Sequence, residues 1–196
     1  MFLKENSPSI WGFFEKVNGS LFNILYAGRF NDNLTTVLSD VNDDLFNYKQ
    51  LQKNDLDELS LFLRAFDKEQ IKTFEPHAFD INTLIRLFNN PSFYMFGVFS
   101  KSKILGYFFI RSFINKKVFM GRIVDLSYRN IGIAKKMASI LHKIAWKSDF
   151  RIFSTIDPKN IASLKSQLAV CDYTIHKSLT NGYLLIEYES KNDKSR

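Results

Sequence analysis

The stretch from Phe93 to Leu126 constrains the fold more than any other part of the chain, because three β-type runs follow one another there with almost no chain between them. Phe93 to Ser100, Ile104 to Ile114 and Lys117 to Leu126 are rich in aromatic and β-branched residues. Only Lys101-Ser102-Lys103 and Asn115-Lys116 separate them. Connections of that length cannot return a chain for parallel pairing, which requires a crossover of about a dozen residues. The three runs are therefore predicted to form an antiparallel meander. The period then changes. From Ile131 to Trp146 the residues Ile133, Met137, Ile140, Leu141 and Ile144 share one stripe of a helix, and Arg151 to Ile156 reads as a buried strand.

The flanking sequence supplies the remaining elements. Phe46 to Leu51 reads as a short strand, and Asn54 or Asp55 is placed to cap a helix through Leu56, Leu59, Leu63 and Phe66. A second helix starts near Asp80, carries Ile81, Leu84, Ile85, Leu87 and Phe88, and stops at Asn89-Asn90-Pro91. Pro158 is expected to open a further helix to about Val170. Tyr173 to Ser178 and Gly182 to Tyr188 close the chain as a hairpin around Thr180-Asn181. The predicted class is α/β, with a mixed, mostly antiparallel seven-stranded sheet flanked by four helices and an N-terminal helical arm.

Composition sets the bounds. A chain of 196 residues, 45% hydrophobic and 15% aromatic, buries one good core. Its twenty Phe report a packed interior in the first instance. The single cysteine, Cys171, excludes an internal disulfide framework and fits a reducing, cytoplasmic setting. The first twelve residues lack a secretory pattern, and no segment is apolar for long enough to span a bilayer.

The net charge of +7 is uneven: residues 1–45 hold three basic and six acidic residues, leaving 24 basic and 14 acidic for the rest. A basic surface suits a polyanionic small molecule, anionic lipid or nucleic acid. No helix-turn-helix, zinc-ligand spacing or aromatic stacking motif supports the last, so no nucleic acid and no metal are expected. Three units follow: an amphipathic arm over 1–45, a main domain over 46–189, and a charged tail over 190–196 that is expected to be disordered. The arm, with Ile10, Trp11, Phe13, Phe14, Val17, Leu21, Phe22, Ile24 and Leu25 near helical spacing, packs on the domain or docks on a membrane surface or a second copy of the chain.

Arg129, Gly132 and Ala134 form the pattern R-x-x-G-x-A between the third run of the meander and the amphipathic helix. A helix start offers unpaired N–H groups and the positive end of its dipole, and small residues let a pyrophosphate approach the backbone. Arg129 adds a charge-assisted contact. The string alone is short enough to recur by chance, and its position between strand and helix gives it meaning. The glycine loops of the common nucleotide-binding folds are absent.

With Tyr128-Arg129-Asn130-Ile131-Gly132-Ile133-Ala134 on one side of the next strand and Asn160-Ile161-Ala162-Ser163-Leu164 on the other, the chain resembles the GCN5-related N-acetyltransferases (GNAT) over about residues 46–189. The resemblance implies acetyl-CoA as donor substrate. It implies that backbone N–H groups around Arg129, Asn130, Ile131, Gly132, Ile133 and Ala134 hold the pyrophosphate, with Lys135 and Lys136 assisting. It also implies that Val124 bonds the pantetheine arm and acetyl carbonyl, that Asn160 and Ser163 lie at the cofactor, and that the sheet splays before Arg151–Ile156 to admit the thioester. One position departs from the family pattern: Gln167 stands where a tyrosine often protonates the leaving thiolate.

An amine acceptor must lose a proton before or during attack. His77 is the leading candidate base, in the loop Phe74-Glu75-Pro76-His77-Ala78-Phe79-Asp80, with Glu75 beside it and Asp125 at the end of the third run. A loop histidine bonded to backbone and a structural aspartate are the plainer readings of His77 and Asp125. The Pro-His loop also resembles sugar N-acetyltransferases of surface-polysaccharide synthesis, which implies an amino-sugar nucleotide as the small-molecule amine. Protein or peptide amines are the enzymatic alternative, and a non-catalytic CoA-binding assembly module is the other class.

Overall fold

The computed structural model describes residues 8–67, 71 and 74–190, with side chains from residue 12 onward. Two helices, α1 (Pro8–Leu25) and α2 (Ala27–Ser39), precede strand β1 (Asn47–Gln50). Helices α3 (Leu56–Arg64) and α4 (Ile81–Phe88) lead into the meander of β2 (Phe93–Ser100), β3 (Lys103–Ser112) and β4 (Lys117–Val124). Then come α5 (Ile133–Lys147), β5 (Arg151–Ile156), α6 (Ile161–Leu168), β6 (Asp172–Ser178) and β7 (Leu184–Glu189). The strands form one seven-stranded sheet in the order β1-β2-β3-β4-β5-β7-β6. Every pairing is antiparallel except β4 with β5, which is parallel.

Strand alternation sends successive side chains to opposite faces, and each face is buried. Phe96, Phe108, Ile110, Val118, Met120 and Val124 meet α1, α2 and α5 on one side. Met95, Phe99, Tyr107, Phe109 and Ile123 meet α3 and α4 on the other. The segment 1–45, set apart by its charge, is not set apart by its packing. Phe22 and Phe30 are fully buried in the first cluster. The Phe30 ring stacks on Tyr94 at 4.7 Å and meets Phe150 edge-on at 5.6 Å. Glu15 reaches Arg86 of α4 at 2.7 Å and Arg111 of β3 at 2.6 Å. Asn18 donates to Ser92 Oγ and the Ser112 carbonyl and accepts from the Ile114 N–H. The outward face of α1 leaves Phe13, Phe14, Ile24 and Leu25 exposed.

Several element boundaries differ from expectation for reasons visible in side chains. Asp55 does not cap α3; its carboxylate turns back to accept the Gln52 N–H at 2.7 Å and the Lys49 ammonium at 3.0 Å. α6 starts at Ile161, not Pro158, because Asp157 Oδ1 takes the Lys159 N–H to make a turn and Asn160 Oδ1 caps the Ser163 N–H at 3.1 Å. β4 stops at Val124, since Asp125 Oδ1 accepts the Ser127 N–H at 2.9 Å and opens a 3-10 turn over Leu126–Tyr128. The readings of Ile10 and Trp11 concern side chains outside the described set, and the tail beyond Ser190 lies outside the described residues. No helix among the described residues is long and apolar enough to cross a membrane.

Candidate active site

Pairing between β4 and β5 is short. Only Lys117, Val118 and Phe119 pair, with Arg151, Ile152 and Phe153. Beyond them β4 continues against β3 alone and β5 against β7 alone. One long contact crosses the gap, Ser154 Oγ to the Met120 carbonyl at 3.4 Å. From Gly121 to Val124 the edge of β4 that faces β5 therefore has no strand partner, and backbone polar groups left this way need an acceptor or donor from elsewhere. This is the splay that the family resemblance implied.

The loop below the gap carries the R-x-x-G-x-A motif. Asn130 and Gly132 both take positive φ, 64° and 92°, a region where a side chain is strained. Gly132 is the N-cap of α5 and no side chain caps the helix there. An added Cβ at Gly132 would meet nothing within 4 Å, so the glycine serves the backbone turn and the space above it is open. The first-turn amides at Ile133, Ala134 and Lys135 precede the first i→i−4 bond, Lys136 N–H to Gly132 carbonyl at 3.0 Å. They are available to an external anion, helped by the dipole of a 15-residue helix. Exposed Ile131 and Lys135 edge this surface.

Two cations of the loop and first helical turn have other engagements. Arg129 Nε donates to the Val124 carbonyl at 3.2 Å, closing the loop onto the end of β4. Lys136 Nζ donates to the Asn42 carbonyl at 3.0 Å, which leaves Lys135 as the nearer unengaged cation. Asn160 and Ser163 meet each other through the α6 cap, so Asn160 commits its oxygen to the helix.

Gly121 and Arg122 face opposite sides of the splayed part of β4. A Cβ at Gly121 would lie 2.6 Å from the Phe109 ring and 3.2 Å from Phe74, so these rings lie directly on the strand. His77 belongs to the same aromatic group, edge-on to Phe109, Phe93, Tyr107 and Phe79. Its Nδ1 lies 2.8 Å from the Ala78 carbonyl and its Nε2 lies 3.0 Å from the Tyr107 hydroxyl. A carbonyl only accepts, so Nδ1 carries the proton and Nε2 accepts from Tyr107 in the neutral ring. Burial raises the fully buried Tyr107 phenol well above its ordinary pKa, which keeps it a donor. Glu75, His77, Ala78 and Phe79 line a surface depression. Asp125 is not part of it, and its carboxylate is the cap of the turn after β4.

On the opposite face the fold assembles a group of which the sequence singles out only Gln167 and Tyr173. Arg122 reaches α6 and donates to Ser166 Oγ at 2.6 Å. Gln167, only 2% exposed, donates from Nε2 to the Tyr188 hydroxyl at 2.8 Å. Burial pushes the Tyr188 phenol up to about 12. His142 is fully buried against the Trp146 and Tyr188 rings with neither ring nitrogen bonded. Burial, and secondarily the charge of Arg122, push its pKa down to about 3. Tyr173, another conceivable proton donor, packs half-buried on the same cluster opposite Tyr188.

No protein-family model and no curated protein matches the sequence. Solved structures match it in three dimensions. The chain is similar to the ribosomal-protein-S5-alanine acetyltransferase from Vibrio fischeri, with a TM-score of 0.63 and 16% identity over 80% of this chain and 98% of that one. It is similar to an N-acetyltransferase from Staphylococcus aureus Mu50, at TM-score 0.59 and 21% identity over 73% and 96% of the two chains. An aminoglycoside acetyltransferase in complex with coenzyme A and kanamycin matches at TM-score 0.57 and 10% identity over 75% and 95%. These likenesses establish the fold, which is that of GNAT-domain acetyltransferases.

Proposed function

We propose that this chain, built on the GNAT fold, is an acetyl-CoA-dependent N-acetyltransferase that moves an acetyl group to a primary amine in a ternary complex. The observation that carries the reading is the break in β4–β5 pairing beside an uncapped, left-handed helix start at Gly132. The amides of Ile133, Ala134 and Lys135, with the Lys135 ammonium, receive the pyrophosphate. The unpaired edge of β4 from Gly121 to Val124 takes the pantetheine amides in strand fashion, and Asn160 and Ser163 at the start of α6 form the far wall. Arg129 and Asp125 shape this route, one by fastening the loop to Val124 and the other by capping the turn.

The acceptor enters from the face of Gly121, where Phe74, Phe109 and His77 stand over the strand. Its amine attacks the thioester carbonyl, forming the C–N bond as the C–S bond breaks. Holding the two reactants together supplies much of the acceleration. Glu75 takes up the amine proton through water, and His77 accepts it at Nε2 only when the Tyr107 hydroxyl turns away from that nitrogen. The depression sets the Glu75 carboxylate beside His77 and Phe79, a lining that suits an amine, with an amino-sugar nucleotide as the specific acceptor proposed. The solved neighbour in complex with kanamycin is a precedent for an aminoglycoside on this fold.

Two measurements test the reading. Calorimetry is expected to show CoA binding that Gly132→Val weakens by about tenfold or more, since a β-branched residue is strained at φ 92°. Thiol release from acetyl-CoA is expected with amino-sugar nucleotides and not with peptides. Absence of CoA binding would overturn the donor assignment; release with peptide amines alone would overturn the acceptor.

A further inference from the structure

Arg122 is a cation without a counter-ion. It is half-buried within the fold, and its one hydrogen bond among the described residues goes to a neutral hydroxyl, Ser166 Oγ. None of the ion pairs among the described residues includes it. The groups that couple to it electrostatically are Tyr188, Cys171 and His142. None is a carboxylate: Tyr188 is held as a phenol, His142 is neutral, and the Cys171 sulfur lies 3.5 Å from the Gln167 carbonyl oxygen. A half-buried guanidinium with no carboxylate beside it is a cost to the fold. Its remaining donors are not among the buried atoms that lack a partner, so solvent still reaches them.

Arg122 also sits where the sheet opens. It lies in the part of β4 that has lost β5 as neighbour, on the face opposite Gly121 and next to α6. Along β4 it is two residues from Val124, and its Ser166 anchor belongs to the helix that Asn160 caps. A thioester threaded through the gap, as the function proposed above requires, has its sulfur between the β4 edge and α6. Gln167, where the family pattern often has an acidic tyrosine, is buried with its amide on the Tyr188 hydroxyl and has no proton to give.

We propose that the Arg122 guanidinium is a catalytic group that stabilises the departing CoA thiolate as an ion pair, replacing proton donation to sulfur. This rests on the acetyltransferase reading. The amine lone pair forms the C–N bond, the C–S bond breaks with its electron pair moving to sulfur, and the amine proton leaves through water towards the His77 side. Arg122 keeps its own protons throughout. The thiolate is protonated by solvent after it leaves. An ordinary thiol has a pKa of about 8.5, so an adjacent fixed cation suffices to hold it ionised during turnover.

The test uses the full chain and free CoA. The ultraviolet absorbance of the bound thiolate, followed against pH, is expected to place the CoA thiol at least about one unit below its ordinary value in the wild type. Arg122→Gln should return it to that value, and Arg122→Lys should keep most of the shift. Desulfo-CoA should bind Arg122→Gln and wild type equally, and kcat should fall by about 100-fold in Arg122→Gln with little change in KM for acetyl-CoA. An unshifted thiol in a wild-type complex that does bind CoA would overturn the role of Arg122 and leave the acetyltransferase reading standing. Failure of the wild type to bind CoA at all would overturn both. If Arg122→Gln does not fold, Arg122→Lys and the wild-type titration still decide the question.

Discussion

At the scale of single residues, the environment decides which polar groups remain neutral and which stay charged. His142 has an ordinary value of 6.5, and burial followed by the Arg122 charge lowers it to about 3 in the fold. Below about pH 6.5 the unfolded chain binds a proton that the folded chain refuses. Stability is therefore complete above that pH and declines as pH falls towards 3, by up to about 1.4 kcal/mol per unit. His142→Leu is expected to remove this slope, read as equal urea midpoints at about pH 7 and about pH 5 where the wild type differs. The same residues show where sequence reading stops. Gly132 is legible because its neighbours spell a loop between strand and helix. Arg122 is not, because a single Arg inside Lys117-Val118-Phe119-Met120-Gly121-Arg122-Ile123-Val124 is indistinguishable in one dimension from a solvated strand position.

Elements are legible where their determinants are local. β2 and β5 begin and end at the predicted residues, and the Asp80 cap of α4 accepts the Thr83 N–H as its position before an apolar stripe implies. The start of α6 lies three residues beyond the predicted Pro158, because a proline's preference for opening a helix loses to an Asn side chain that caps later. Pro158 falls in the preceding turn and Asn160 does the capping. That α1 and α2 pack on the domain is one of the alternatives the sequence offers, but where they attach cannot be read, because the partners of Phe22 and Phe30 are Tyr94 and Phe150, far along the chain. These contacts make the two helices part of the core. Phe30→Ala is expected to destabilise the whole fold by about 3–5 kcal/mol, with one unfolding transition in calorimetry. A separate low-temperature transition for α1 and α2, leaving the rest unchanged, would show that the helices fold independently.

For the whole molecule, the consequence lies in how its two portions are fastened. β1 to β4 form one block and β5 to β7 another, and within the sheet only three residue pairs bridge them. Outside the sheet ladder the portions are joined by α5, which touches β3, β4 and β5 from one face, and by side-chain contacts such as Arg122 to Ser166 and Phe150 on Phe30. Such an arrangement is a sheet with a seam, and cooperative units of differing stability tend to divide along lines of sparse hydrogen bonding. Amides of β5, β6 and β7 are expected to exchange with solvent water together, and faster than those of β2 and β3. A donor molecule lying along the seam would act as a suture, contributing backbone hydrogen bonds that the chain itself omits. Hydrogen exchange followed by mass spectrometry with and without CoA should show β5 to β7 slowing towards the rate of the meander, while unchanged exchange in a complex at saturation would mean that the ligand lies elsewhere. The protein would then depend on its substrate for the continuity of its own sheet, and would be most loosely joined at the moment it releases product.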